Sequence, residues 1–130
     1  MAEYKTNVMR ILDKAGIAYT PHQYPHRDGD PIDGGAVAAY LQKAPQTVFK
    51  TLVTRGHSGA YLVFVIPVCA ELDLKKAARA AGEKSVEMIH VAEINKITGY
   101  IRGGCSPVGM KKQYQTVFDQ SCLNCETITV

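Results

Sequence analysis

The chain has 130 residues, 46% of them hydrophobic and 21% charged, which suits one globular domain with its own core and excludes a disordered or low-complexity chain. A net charge of +3 and a pI near 8.7 are mildly basic, compatible with a nucleic-acid partner without requiring one. No apolar run approaches the roughly 18 residues of a membrane span, and the opening MAEYKTNVMR has no apolar signal core, so a cytoplasmic protein without a membrane partner is expected.

Taken in chain order, the first element is a helix from about Thr6 to Ala15. Thr6 or Asn7 can cap it, Val8, Ile11, Leu12 and Ala15 form one stripe, and Gly16 stops it. Ile17 to Tyr24 alternates loosely and predicts a strand. His26 to Gly35 is a polar, turn-rich loop, after which Asp33 can cap a short helix, Ala36 to Gln42, that Pro45 terminates. Thr47–Thr54 and Ala60–Ile66 read as a hairpin joined through Arg55-Gly56-His57-Ser58-Gly59. Asp73 caps a basic helix, Leu74 to Ala81, ended by Gly82. Val86–Met88 is a short strand, and Val91–Ile97 a helical turn or two. Tyr100–Arg102 leads into a glycine turn, and Thr116–Asp119 and Thr127–Val130 close the sheet. This interleaving predicts an α+β fold: a compact single domain, residues 1–130, with a mixed, mostly antiparallel, barrel-like sheet flanked by helices. Strand character in Thr127–Val130 runs to the last residue, so that strand is expected either to pair at a sheet edge or to belong to a shortened chain.

Two segments carry the chemical signal. Lys50 stands in the β-branched, apolar run Val48-Phe49-Lys50-Thr51-Leu52-Val53. Alternation puts Val48, Lys50 and Leu52 on one face and Phe49, Thr51 and Val53 on the other, both mainly apolar. Lys50 is therefore either partly buried beside a polar or anionic partner, or snorkelling to the sheet edge. The second segment is Thr98-Gly99-Tyr100-Ile101-Arg102-Gly103-Gly104-Cys105-Ser106-Pro107-Val108-Gly109. Gly103-Gly104 lets backbone N–H groups approach a carboxyl, phosphate or developing oxyanion, although a tight turn between strands uses the same residues.

The remaining reactive residues are weaker signals. Cys105 as a nucleophile needs a base that His22, His26, His57 and His90 do not supply by sequence placement, and a structural thiol is the better reading. Cys122 and Cys125 have CxxC spacing but sit between strand-like flanks, in a turn, without the helix start of a redox pair or the further ligands of a zinc site. His22 and His26 are separated by Pro25, which argues against a helical ligand pair. No metal or organic cofactor is expected. Lys75, Lys76 and Arg79 form one cationic patch and Arg102, Lys111 and Lys112 another, either solvated faces or contacts for a phosphate backbone.

The phrases FKTLV, LDLKKAA (from Leu72), KSVEM (from Lys84) and TGYIRGGCSPVGMKK, in register from about Lys5 to Val130, resemble the YbaK/EbsC-type prolyl-tRNA editing family, and in particular its Cys-tRNA(Pro) deacylase branch. The resemblance implies a fold similar to the editing domain of bacterial prolyl-tRNA synthetases and a task, removal of cysteine wrongly attached to tRNA(Pro). Cysteine and proline are too close in size for one pocket to separate well, so a second site restores accuracy. It also implies roles. Lys50 and the Gly103 N–H serve the reacting ester, while Tyr24, Thr51, Gly104, Cys105, Ser106 and Pro107 shape the aminoacyl pocket. Lys75, Lys76, Arg79, Arg102, Lys111 and Lys112 hold the acceptor end of tRNA(Pro). In this family the substrate's own thiol is the nucleophile, and prolyl-tRNA synthetase is a candidate partner. The sequence departs from the family in two places: the loop from Pro25 to Gly35 has no aromatic residue, and members continue past the strand equivalent to Thr127–Val130 with a Ser-Gly-Lys-Arg-Gly-type loop, a strand and a helix. An open edge that favours self-association, and weakened catalysis, are the corresponding expectations.

Three rival readings stand beside the deacylase: a hydrolytic editor of another mischarged tRNA such as Ala-tRNA(Pro), a truncated module that binds tRNA or a synthetase without turnover, and a thiol-redox protein working through Cys122 and Cys125. A panel of mischarged tRNAs separates the first, because only a cysteine ester carries its own thiol.

Overall fold

The computed structural model describes residues 6–21, 38–39, 41–100, 106–112 and 114–130. Helix α1 is Asn7–Ala15; Thr6 Oγ1 accepts the Met9 N–H at 3.2 Å, and Gly16 ends the helix in the left-handed conformation. The strand predicted to follow is absent over Ile17–Pro21. The Ile17 N–H turns back to the Leu12 carbonyl at 2.9 Å, and Ile17 is exposed, so its strand character meets no neighbouring strand among the described residues. Residues 22–24 of that prediction, and the polar loop after it, lie outside the described residues. Of the next predicted helix, Ala38 and Ala39 are helical, but Gln42 has φ 55 and the chain has already left the helix.

The centre of the molecule is the hairpin of β1, Phe49–Gly56, and β2, Tyr61–Pro67, paired antiparallel from Phe49↔Pro67 to Arg55↔Tyr61. Glu83 fastens its turn, accepting the Ser58 N–H at 3.0 Å and the Ser58 hydroxyl at 2.6 Å. Helix α2, Leu74–Ala81, starts at Asp73, whose Oδ1 accepts the Lys75 and Lys76 N–H groups at 3.1 Å each, and stops at Gly82. Strand β3, Val86–Met88, pairs antiparallel with β1, and β4, Gln115–Phe118, runs parallel to β2. A 3-10 turn, Val91–Glu93, leads into the short helix α3, Ile94–Thr98.

The sheet order is β3-β1-β2-β4, with two of its three pairings antiparallel. The mixed, mostly antiparallel α+β expectation holds, but the sheet is open among the described residues rather than closed like a barrel. Its edge strands have three and four residues and pair only on their inner sides. The strand predicted at Thr127–Val130 is reduced to one parallel bridge, Val48↔Thr129, with the Phe49 N–H donating to the Thr129 carbonyl at 2.8 Å. Before Val48 the chain is in the 3-10 turn Pro45–Thr47, so in this register Thr127 faces no extended partner.

Two apolar clusters cover the two faces. Leu62 and Phe64 pack with Ala77, Ala78 and Val86 under α2. Phe49, Val63 and Val65 pack on the other face, against Met110, Tyr114, Cys122 and Ile128. Among the described residues no helix is long and apolar enough to cross a membrane.

Candidate functional site

The inner edge of β1 is paired to β2 along its length, but its outer edge is divided. β3 takes Thr54–Gly56 and Thr129 bridges Val48, while Lys50, Thr51 and Leu52 have no strand on that side among the described residues. All three are half-buried. The result, among the described residues, is a notch in the sheet edge at the level of Lys50. The Phe49 N–H and the Val53 carbonyl both point to this outer edge, bonding Thr129 and Ile89 respectively. Strand alternation therefore turns the Thr51 N–H toward the notch as well.

Side-chain directions keep apart the two residues that the resemblance assigns to one site, as strand alternation predicts. Lys50 is opposite Ile66, on the face that α2 covers further along, and Thr51 is opposite Val65, on the other face. A shared pocket of both side chains is thus not what the register gives. Thr51 can join Lys50 only through its backbone.

Of the glycine turn, Arg102, Gly103, Gly104 and Cys105 lie outside the described residues, as does Tyr24. The flanks of the turn are tied by hydrogen bonds. The Tyr100 hydroxyl donates to the Val108 carbonyl at 2.6 Å, drawing the two flanks together. The Tyr100 N–H donates to Thr98 Oγ1 at 3.0 Å, and the Lys111 N–H to the Thr98 carbonyl at 2.9 Å. Ser106, half-buried, accepts the Val108 N–H on its hydroxyl at 3.1 Å, so it stiffens the turn. From α1, Asn7 Nδ2 reaches the Gly109 carbonyl at 3.3 Å and the Tyr100 hydroxyl at 3.4 Å. Pro107 borders a cleft of about 590 Å³ together with Gly109, Met110, Lys112 and Tyr114. Neither Lys50 nor Thr51 lines it.

The described members of both cationic patches are exposed. Lys75, Lys76 and Arg79 stand on the outer side of α2 while Ala77 and Ala78 pack inward. The Lys76 N–H, then the Lys75 N–H and the charges of Lys76 and Arg79, hold the Asp73 carboxyl below its ordinary value. Lys111 and Lys112 follow the glycine turn. Cys122 and Cys125 are free thiols in the 3-10 turn Gln120–Asn124 and just after it, both half-buried, and Cys69 is free and exposed. His57 and His90 are exposed, His22 and His26 lie outside the described residues, and no group of metal-binding side chains occurs among the described residues.

Sequence reasoning missed the residues that shape the flanks of the turn. Thr6 and Asn7 both read as possible helix caps; Thr6 takes that role and leaves Asn7 to bind a carbonyl 102 positions away. Tyr100, Tyr114 and Lys96 carried no local signal beyond their residue types.

The family model of the aminoacyl-tRNA editing domain matches residues 33–130. An Enterococcus faecalis protein with the provisional name Cys-tRNA(Pro)/Cys-tRNA(Cys) deacylase EbsC is 41% identical over 128 residues, which are 98% of this chain and 77% of that protein. The crystal structure of a provisionally assigned trans-editing enzyme for prolyl tRNA synthetase superposes with a TM-score of 0.64 at 26% identity. That match covers 71% of this chain but only 57% of the other. The crystal structure of a hypothetical protein gives a TM-score of 0.78 at 23% identity, over 90% of this chain and 75% of that one, a likeness of fold.

Proposed function

This chain belongs to the aminoacyl-tRNA editing domain family, and we propose that it acts in trans as a deacylase that releases cysteine from Cys-tRNA(Pro). The observation that carries the reading is the half-buried Lys50 in the notch of β1, inside the segment that the family model matches. A positive charge held between apolar strands is worth more to a developing negative charge than one in open water. Lys50 would hold the ribose–ester end and stabilise charge on the carbonyl oxygen. The Gly103 N–H, and the Thr51 N–H that faces the same notch, would donate to that oxygen. Tyr24, Gly104, Cys105, Ser106 and Pro107 would bound the aminoacyl group.

In the reaction itself the cysteinyl sulfur attacks its own ester carbonyl. A C–S bond forms, the ester C–O bond breaks, and the thiol proton ends on the ribose hydroxyl, leaving tRNA and a cysteine thiolactone. No electron is transferred and no cofactor is needed. The protein supplies position and charge stabilisation rather than a nucleophile, which leaves Cys105, Cys122 and Cys125 dispensable for chemistry.

The test is a panel of tRNA(Pro) charged with cysteine, serine, alanine and proline. Rapid loss of the cysteinyl ester, with the seryl ester cleaved far more slowly and the prolyl ester spared, is the expected pattern. Equal cleavage of the alanyl and seryl esters would replace thiol attack by an ordered water. Failure on all four would leave a tRNA-binding module.

A further inference from the structure

The wide cleft beside Pro107 adjoins a second recess of about 220 Å³, and the two share Lys112 and Tyr114. The second recess is walled by Tyr61 and Tyr114, whose rings meet edge to face with centroids 6.0 Å apart, and is fringed by Lys96, Lys111 and Lys112. Tyr114 is fixed from behind, its hydroxyl donating to the Ile97 carbonyl at 2.7 Å. Lys111 is steadied by a 3.5 Å contact from Nζ to the Lys96 carbonyl. None of the three lysines is paired with a carboxylate among the described residues. The one acid on the rim, Glu93, is turned to its own helical turn, where it accepts the His90 N–H at 3.3 Å.

Three unpaired cations along a trough with half-buried aromatic walls are the composition of a surface for a nucleic-acid strand: ammonium groups for phosphates, ring surface for bases. The other cationic patch is on the far side of the sheet. α2 packs on Leu62 and Phe64, whereas Tyr114 belongs to the cluster of Phe49, Val63 and Val65 on the opposite face. A sheet layer and a helix layer, ~20 Å together, separate the outer surface of α2 from the trough. A strand lying in the trough does not reach both.

We propose that the trough of Tyr61, Lys96, Lys111, Lys112 and Tyr114 is the surface that takes the phosphate backbone of the tRNA acceptor end, and that Lys75, Lys76 and Arg79 are a solvated face. The partner, a tRNA, rests on the function proposed above; the choice of surface rests on the trough.

Binding of fluorescent, uncharged tRNA(Pro) tests the surface without any chemistry. The variant Lys96→Glu/Lys112→Glu should weaken binding by about tenfold or more and flatten the dependence of log K on log salt by about 0.7–0.9 per lysine removed. Lys96→Gln/Lys112→Gln gives the same ranking should the reversal disturb α3. The comparison variant is Lys75→Glu/Lys76→Glu, in the first turn of α2, where a carboxylate suits the helix. It should shift the affinity by less than about threefold, since its charges act only at long range. An equal or larger loss in the α2 variant, wild-type affinity in both trough variants, or no tRNA binding by the wild type would each overturn the proposal. A protein that binds through the trough yet deacylates nothing sinks the catalytic reading and leaves this one standing. Undiminished binding with the trough reversed in an active deacylase does the opposite.

Discussion

The two ends of β1 are built differently. At its far end Val53, Thr54 and Gly56 are buried, β3 and β2 flank the strand on both sides, and α2 seals one face. Thr54, fully buried, gives its hydroxyl to the Leu62 carbonyl at 3.1 Å, and Glu83 ties down the hairpin turn just beyond. At the near end Lys50, Thr51 and Leu52 are only half-buried, and among the described residues one bridge at Thr129 is the cover on the outer edge. A sheet closed everywhere would leave a lysine no tolerable place, because a buried ammonium without partners is costly. Where the described residues leave the outer edge of the central strand unpaired, Lys50 is half-buried rather than buried, and a ligand can approach it. The closed end is what makes that tolerable, since it anchors the strand independently.

The largest test of this contrast sets the two ends against each other. Lys50→Ala should lower deacylation of Cys-tRNA(Pro) by about 10²–10³-fold, the range for losing one directed electrostatic donor in an active site. Its melting temperature should stay close to wild type, since no core contact is lost. Thr54→Val should do the reverse: about 1 kcal/mol less stable, for a lost hydrogen bond in a packed interior, with turnover kept. Wild-type turnover by a folded Lys50→Ala protein ends the catalytic assignment. A Thr54→Val protein that folds well but has lost activity ends the idea that the ends are independent.

What could be read from sequence divides along similar lines. The caps at Thr6, Asp73 and Gly82, the hairpin, and β3 at Val86–Met88 followed from local chemistry and survive in the structure. So did the alternation that sets Lys50 and Thr51 apart. The failures are strands predicted without asking who would pair with them. Ile17–Pro21 has the right residues but meets no strand among the described residues, and Thr127–Val130 meets the edge of β1 only at the Val48↔Thr129 bridge. The clasp joining Asn7 and Tyr100 to the 108–109 segment depends on contacts up to 102 positions apart, which no window of sequence contains. The same holds for the two basic patches. Their charges are plain in the sequence, and only the assignment of α2 and Tyr114 to opposite faces shows that they lie on different sides of the sheet.

A smaller effect is expected where the underside of the open end is covered. Met110 and Tyr114 pack against the cluster that contains Phe49, and Gly109 precedes them with φ 80. A Cβ at Gly109 would lie 2.6 Å from Asn7 Nδ2, 2.7 Å from Ile11 Cδ1 and 2.9 Å from the Tyr100 hydroxyl. Gly16 has a similar φ of 73 with nothing within 4 Å of a Cβ. Both alanine variants bear the backbone penalty, of about 1 kcal/mol or more where φ is positive, but only Gly109→Ala also disturbs the clasp. It should therefore melt lower than Gly16→Ala and lose deacylase activity with it. Equal melting temperatures would mean that the clasp yields freely and holds nothing in place.

The smallest expected effect concerns the lock on the closed end, and it depends on pH. The Ser58 hydroxyl, then the Ser58 N–H, and more weakly the nearby His57, hold the Glu83 carboxyl below its ordinary value. With the folded value depressed, the unfolded chain binds more protons in the window between the two, so stability rises with pH there. The contribution is complete above the ordinary glutamate range, about pH 4.3, and disappears as pH falls through the lower, folded value. Glu83 is a surface group, so screening by solvent keeps the effect to a few degrees of melting temperature. Glu83→Gln keeps an acceptor for Ser58 but has no charge to lose. Its melting temperature should lie slightly below wild type at neutral pH, and the gap should close in acid. Adding salt should narrow the gap at neutral pH. A gap that persists unchanged below about pH 3, where free carboxylates are protonated, would show that the lock works through the shape of the side chain and not through its charge. The closed end of β1 would then be as insensitive to acid as its apolar packing alone would make it.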